Sequence, residues 1–182
     1  RLFNRLKRIE HESLIKKALG KNKAQLKIFD ATAGSLIDTI IFLKLGHEVV
    51  ACEQSKILFK LLNDAILRAK KEYNFFKNLT FINSDSAKII HSYLDSDILY
   101  FDPMFDETKR GLKRSGTLNK IDSVLKEEKL IDTSIKVFES LLKKEYKKII
   151  LKRPIKSLPL NSKLNYQVKG KTIRYDIYYK NT

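Results

Sequence analysis

The chain has 182 residues, 43% of them apolar, which suits one domain around a single sizeable core and leaves two domains cramped. Lysine and arginine outnumber aspartate and glutamate by 37 to 21, so the formal charge of +16 points to a polyanionic partner, nucleic acid ahead of a membrane surface; the alternative is a general compositional drift. The single Cys52 excludes an internal disulfide and three scattered histidines leave no metal-ligand cluster, while no apolar run reaches the ~18 residues that span a bilayer and no secretory signal pattern opens the chain, so a cytoplasmic protein in a reducing compartment is expected.

Residues 1–20 form a basic N-terminal segment in which Arg1 to Lys17 reads as a helix, with Leu2, Leu6, Ile9 and Leu14 loosely on one side. The chain opens on Arg1 and not on methionine, which leaves room for a preceding segment. After it, short apolar runs alternate with longer stretches of helical period. Leu26 to Ala31, His47 to Cys52, Leu79 to Asn83, Asp97 to Phe101 and Lys148 to Lys152 read as strands. Most are too continuously apolar for a one-sided sheet and belong in a parallel sheet covered on both faces. Leu36 to Leu45, Ile57 to Glu72 and Ile131 to Tyr146 carry apolar residues at spacings of three and four, as helices with one buried stripe do. Residues 106–129 are polar and basic, with little apolar period in their first half, and read as a mobile loop segment. Leu164 to Val168 and Thr172 to Tyr179 flank Gly170 as an antiparallel hairpin. The expectation is one domain over residues 1–182: α/β, doubly wound, a mostly parallel Rossmann-like sheet ending in an antiparallel hairpin, with ligands at the carboxyl ends of the strands.

The chemistry gathers at those ends. In FDATAG, Asp30 closes the first strand, and small residues up to Gly34 let backbone approach a ligand closely. Glu53 follows the second strand nineteen residues beyond Gly34, where a carboxylate accepts hydrogen bonds from the ribose hydroxyls of a bound nucleoside; the plainer reading is a tight turn and a solvated acid. A nicotinamide dinucleotide fits less well. SLIDT after Gly34 lacks the second and third glycines of G-x-G-x-x-G, and Asp30 and Asp38 beside the turn repel a pyrophosphate but suit a cation. A sulfonium cofactor, S-adenosylmethionine, is the better candidate.

With that cofactor, the segment LYFDPMF, Leu99 to Phe105, acquires a chemical reading. Asp102 would sit beside the sulfonium and accept N–H bonds from an amine about to be methylated. Pro103, without an N–H and with φ fixed, holds neighbouring carbonyls in a defined direction, and Phe105 can stack on a base turned out of its helix. A strand-ending Asp-Pro turn is the bland alternative. Asp85, in NSDS, reads either as an acceptor for the adenine amine or as a helix N-cap. Lys152 and Arg153 read as phosphate contacts or as a solvated basic pair, and Tyr175, Tyr178 and Tyr179 read as hairpin packing before base stacking.

Taken together, DATAG with Asp38, CEQ, DPMF at 102–105, LKRP at 151–154 and KG followed by RYDIYY resemble, in order and spacing, the ribosomal RNA small subunit methyltransferase J family, from about Lys16 onward. The resemblance implies an S-adenosylmethionine-dependent methyltransferase acting on the exocyclic N2 of a guanine in small-subunit ribosomal RNA, with that RNA or the small ribosomal subunit as partner and neither membrane nor metal required. It also implies cofactor contacts from Ile37, Asp38, Glu53, Gln54, Asp85, Ser86 and Asp102. Leu36 and Ile37 stand where the family usually has Gly-Arg, so only a backbone contact is expected at Ile37, and the family carries an additional N-terminal portion. A non-catalytic RNA binder that keeps the fold and a DNA adenine-N6 methyltransferase are the competing functions.

Overall fold

A computed structural model describes residues 9–21, 24–103, 127–128, 130–131 and 133–180. Seven strands form one sheet in the order β3-β2-β1-β4-β5-β7-β6. They are β1 (Lys27–Asp30), β2 (Glu48–Glu53), β3 (Leu79–Asn83), β4 (Ile98–Phe101), β5 (Lys148–Pro154), β6 (Tyr166–Lys169) and β7 (Ile173–Tyr179). The first five run parallel, and β7 pairs antiparallel with both β5 and β6. Chain order reverses on either side of β1, which leaves a crevice between β1 and β4 at the carboxyl edge.

Continuous apolar strands require cover on both faces, and alternation divides their side chains between two cores. Ile28, Val49, Ala51, Ile98, Tyr100, Ile150, Tyr175 and Ile177 face α1 (Ser13–Leu19), α2 (Ile37–Lys44) and α3 (Lys56–Glu72). Phe29, Cys52, Leu99, Phe101, Ile149, Leu151 and Tyr178 face Ile90 and α5 (Ser134–Leu141). The remaining helix, α4 (Ser86–Ile89), runs on into a 3-10 turn, Ile90–Tyr93. Among the described residues no helix is long and apolar enough to cross a membrane.

Several element limits differ from the sequence reading, for local reasons. The expected N-terminal helix is split: a 3-10 turn covers Ile9–His11, and α1 begins only at Ser13 and reaches Leu19; residues 1–8 lie outside the described residues. The helix expected over Ile131 to Tyr146 is the shorter α5, because Lys143 and Lys144 donate to Ser140 and Leu141 three residues back and close the last turn. Strand β5 runs two residues past Lys152, since β7 pairs with it as far as Pro154↔Ile173. Of the expected loop at 106–129, only 127–128 are among the described residues.

Two buried charge arrangements hold the antiparallel end. Arg174, 2% exposed, donates through Nε to Asp176 Oδ1 at 2.7 Å and through Nη1 to the carbonyls of Pro154, Ile155 and Ser157, so it pins the loop that leaves β5. Lys148 Nζ donates to the carbonyls of Ala18 and Leu19 at 2.6 and 2.9 Å, capping the C-terminus of α1. Gly170 lies under the same helix: a Cβ there would stand 2.7 Å from Leu14 Cδ2 and 3.0 Å from the Ile173 carbonyl, so any side chain would require Leu14 and the turn to shift.

Burial lowers the Lys148 ammonium from 10.5 to about 8. The folded state therefore loses this proton before the unfolded state does, and between about pH 8 and 10.5 the unfolded chain binds more protons. Stability should rise with pH across that window by an increment that Lys148→Met lacks. Urea unfolding of both proteins at several pH values measures the difference.

Candidate active site

Five strand ends meet at the carboxyl edge and deliver Asp30, Glu53, Asn83, Asp102 and Lys152 to one crevice. The turn after β1 is built on its own terminal residue. Asp30 is buried; Oδ1 accepts from Thr32 N at 3.1 Å and Oδ2 from Thr39 Oγ1, on α2, at 2.5 Å. Burial raises this carboxyl to about 7 against those two bonds, and Asp38 and Asp102 push the same way. Gly34 sits at φ +49° and Leu36 at φ +60°. Leu36 is buried at the head of α2, and for a non-glycine residue that left-handed geometry costs about 1 to 2 kcal/mol, held here by packing.

Glu53, 6% exposed, ends β2 as a buried carboxylate, not as the solvated acid of the plainer reading. Its Oε1 accepts from Ser55 N at 2.8 Å, and the backbone N–H groups of Gly34 and Gln54 also favour its charge. Burial raises its pKa in spite of them, with Glu128 adding to the rise. Glu128 lies against the head of α3: Ser55 Oγ donates to its Oε2, and Lys56 N and Ile57 N donate to its Oε1 at 3.1 and 3.3 Å. Asn83 Nδ2 donates to the carbonyls of Glu53 and Gln54, which fixes the backbone between β2 and β3. Asp85 is the N-cap of α4, its Oδ1 accepting from Ala87 N at 2.9 Å; Ser86 beside it is buried.

The centre of the site is an ion cluster. Lys152 Nζ lies 2.7 Å from Asp38 Oδ2 and 2.6 Å from Asp102 Oδ2. Asp38 Oδ2 also accepts from the Tyr100 hydroxyl at 2.6 Å. Burial, with Asp38 next, raises the Tyr100 pKa and keeps the phenol a donor. For Asp102, burial raises the pKa, Lys152 pulls it down and Asp38 pushes it up again; for Lys152, two carboxylates outweigh burial and raise it further. The backbone N–H of Asp102 donates to Thr32 Oγ1 at 2.6 Å, tying the end of β4 to the β1 turn. Pro103 is buried behind it, and Phe105 lies outside the described residues.

The structure thus brings Asp30, Gly34, Ile37, Asp38, Glu53, Gln54, Asp102 and Lys152 to one edge. Lys152 is not the solvated cation of the plainer reading; its ammonium is held by two carboxylates. Arg153 is buried on the opposite side of β5 and donates to the Leu158 carbonyl at 3.2 Å. Tyr175 and Tyr178 are core residues, and Tyr179 is 40% exposed beside Tyr166. Sequence reasoning missed Thr32, Thr39, Tyr100 and Glu128. Only Tyr100 carried a local signal, a hydroxyl inside the apolar run ILYF.

The donor set fits a nucleoside bearing a positive charge. A buried carboxylate flanks an open small-residue turn, where a Cβ on Gly34 would meet nothing nearer than Thr32 O at 3.8 Å, and among the described residues acids outnumber the single ammonium there. Residues 3–180 match a family described as "Putative SAM-dependent methyltransferase". Proteins named ribosomal RNA small subunit methyltransferase J are similar: that of Bdellovibrio bacteriovorus is 31% identical over 91% of this chain and 65% of its own length. That of Francisella tularensis subsp. novicida is 33% identical over 91% of this chain and 70% of its own length. The chain thus spans about two thirds of these relatives. In fold, it is similar to a SAM-dependent methyltransferase from Neisseria gonorrhoeae, with TM-score 0.72, 23% identity and coverage of 96% of this chain and 71% of that one. A glycopeptide N-methyltransferase solved with S-adenosylmethionine superposes with TM-score 0.52 at 15% identity, over 92% and 65% of the two chains.

Thr32→Val keeps the shape of the side chain and removes the acceptor for the Asp102 N–H. Leaving that donor unsatisfied should cost about 1 to 3 kcal/mol, read from denaturant unfolding of the variant beside wild type.

Proposed function

Because the chain belongs to the family of S-adenosylmethionine-dependent methyltransferases, we propose that it methylates the exocyclic N2 amine of a guanine in small-subunit ribosomal RNA, in the cytoplasm. The observation that carries the reading is Asp102: a strand-end carboxylate, 36% exposed, whose backbone is bonded to the cofactor turn and whose Oδ2 is held by Lys152. The names of the relatives support ribosomal RNA as the substrate class, and the charge of +16 supports a polyanion.

Glu53 would accept from the ribose hydroxyls, Asp30 and Asp38 would supply negative potential under the sulfonium, and the small residues around Gly34 and the head of α2 at Ile37 would let the amino-acid portion approach backbone. Gln54 and Ser86 would line the adenine. Asp85 already caps α4 through Oδ1, so an adenine contact from it would use the other oxygen. Bound there, the cofactor supplies a methyl carbon on a positively charged sulfur that departs as a neutral thioether. Asp102 accepts an N–H bond from the guanine amine, whose lone pair is delocalised into the ring, and so aims that lone pair at the methyl carbon. A carbon–nitrogen bond would form as the carbon–sulfur bond breaks, and the extra proton on nitrogen would pass to water. Pro103 keeps the backbone after Asp102 from shifting, and Phe105, by its place in the sequence, offers a ring to the displaced base.

Calorimetry should find S-adenosylmethionine bound and weakened by about 1 to 3 kcal/mol in Glu53→Ala, the cost of a lost charge-assisted hydrogen bond; binding of NAD in its place would overturn the cofactor assignment. In single-turnover methylation with saturating labelled cofactor, Asp102→Ala should lower the rate by roughly 10² to 10⁴ with much less change in cofactor affinity. Small subunits, naked ribosomal RNA and DNA serve as parallel substrates, followed by nucleoside analysis. Label on N6 of adenine in DNA, or binding of RNA without transfer, would replace the guanine-N2 reading.

A further inference from the structure

Among the described residues the ammonium of Lys152 is held by two carboxylates. It lies in hydrogen-bond contact with Asp38 Oδ2 and Asp102 Oδ2, and its side chain is only 19% exposed. Of these partners Asp38 is the anchored one, in the first turn of α2, buried, and bonded by the Tyr100 hydroxyl. Asp102 sits beyond the end of β4; among the described residues the bond to its carboxyl that holds its rotamer is the one from Lys152, on Oδ2. Among the described residues that bond leaves Oδ1 for an incoming donor.

We propose that Lys152 is a positioning residue for methyl transfer, which fixes Asp102 against Asp38 and keeps its carboxylate ionised so that Oδ1 can accept from the substrate amine. The inference rests on the assignment of Asp102 to that amine. Its physical basis is a count of the charges facing Asp102 from each packed element. Lys152 comes from β5, Asp38 from α2 and Asp30 from β1, with the Tyr100 hydroxyl from β4 itself and Tyr175 from β7 beside Lys152. Among the described residues, three acids thus share one cation. Without it, mutual repulsion and burial favour a proton on Asp102, and a protonated carboxyl presents an O–H to an amine that needs an acceptor. A plain structural bridge would hold the fold but would not set the pH at which the site works.

The test separates the two. The Asp102 carboxyl, assigned by comparison with Asp102→Asn, is titrated by carbon-13 NMR in the substrate-free protein, and single-turnover rates with saturating labelled cofactor are measured across pH on the same samples. In Lys152→Met the carboxyl midpoint should rise, the rate at neutral pH should fall by about tenfold or more, and the loss should recede as the pH is raised, since each unit of midpoint is tenfold in ionised fraction. Lys152→Gln is the second neutral variant, able to bond one carboxylate if the methionine protein folds poorly, and should shift in the same direction. Lys152→Arg keeps the charge and should keep the wild-type midpoint and profile. Adding Asp38→Asn to Lys152→Met removes one repelling acid and should bring both back down. An unchanged midpoint in the neutral variants, or a shift in Lys152→Arg equal to theirs, overturns the role of Lys152 alone. A midpoint that moves while the rate profile does not follow overturns the role of Asp102 on which the inference rests.

Discussion

Carboxylates gathered at one edge of a parallel sheet repel one another, and the rest of the site depends on how that repulsion is met. Asp30, Asp38 and Asp102 are brought together by β1, α2 and β4, and Lys152 from β5 is placed between the last two at hydrogen-bond distance. A buried ion cluster contributes little to stability by itself, because desolvation offsets most of its attraction. What it gives is a single geometry for groups that would otherwise titrate or turn away. Neutral donors complete the arrangement: Thr39 on Asp30 and Tyr100 on Asp38. The acids keep a net negative potential for a cationic ligand, while no one carboxylate stands uncompensated.

The two cores serve this edge in different ways. On one face, α1, α2 and α3 pack against the sheet with aliphatic and aromatic side chains, and α2 brings Asp38 and Thr39 into the crevice from its first turn. On the other, Phe138 of α5 makes edge-to-face contacts with Phe101 of β4 and Tyr178 of β7, on either side of β5. The strands that bring Asp102 and Lys152 to the edge are thus packed from behind. Arg174 extends the same rigidity beyond β5, since its three carbonyl bonds and its pair with Asp176 hold the following loop to the sheet.

The strands were legible because each is a short apolar run and each face of a covered sheet leaves the same signature. Leu79 to Asn83 appears in the structure with the limits read from the sequence, β4 differs by one residue at its start, and β1 and β2 differ by one residue at each end. Glu53 and Asp102 could be placed because a strand end is a local feature. The bonds of Lys152 were not legible. Its two partners lie 114 and 50 residues away in the chain, and nothing near LKRP distinguishes a lysine turned toward buried acids from one turned toward solvent. The same holds for Glu128, which reaches the head of α3 across more than seventy residues, and for the capping of α1 by Lys148, where register between distant elements decides the outcome. Helix limits failed for a smaller reason: apolar spacing runs past the point where three-residue hydrogen bonds close the last turn of α5.

One bond joins what the reaction must bring together. Through the contact of the Asp102 N–H with Thr32 Oγ1, across 70 residues of sequence, the turn after β1 and the end of β4 are tied together, and these are the places at which the proposed function would set the cofactor and the base. A ligand that orders either partner orders both, and such coupling is reciprocal: if the cofactor tightens the grip on RNA by some factor, RNA tightens the grip on the cofactor by the same factor. On the proposed reaction, loss of the sulfonium charge on methyl transfer would remove one attraction to the acidic turn, and through the same bond would weaken the hold on both ligands together.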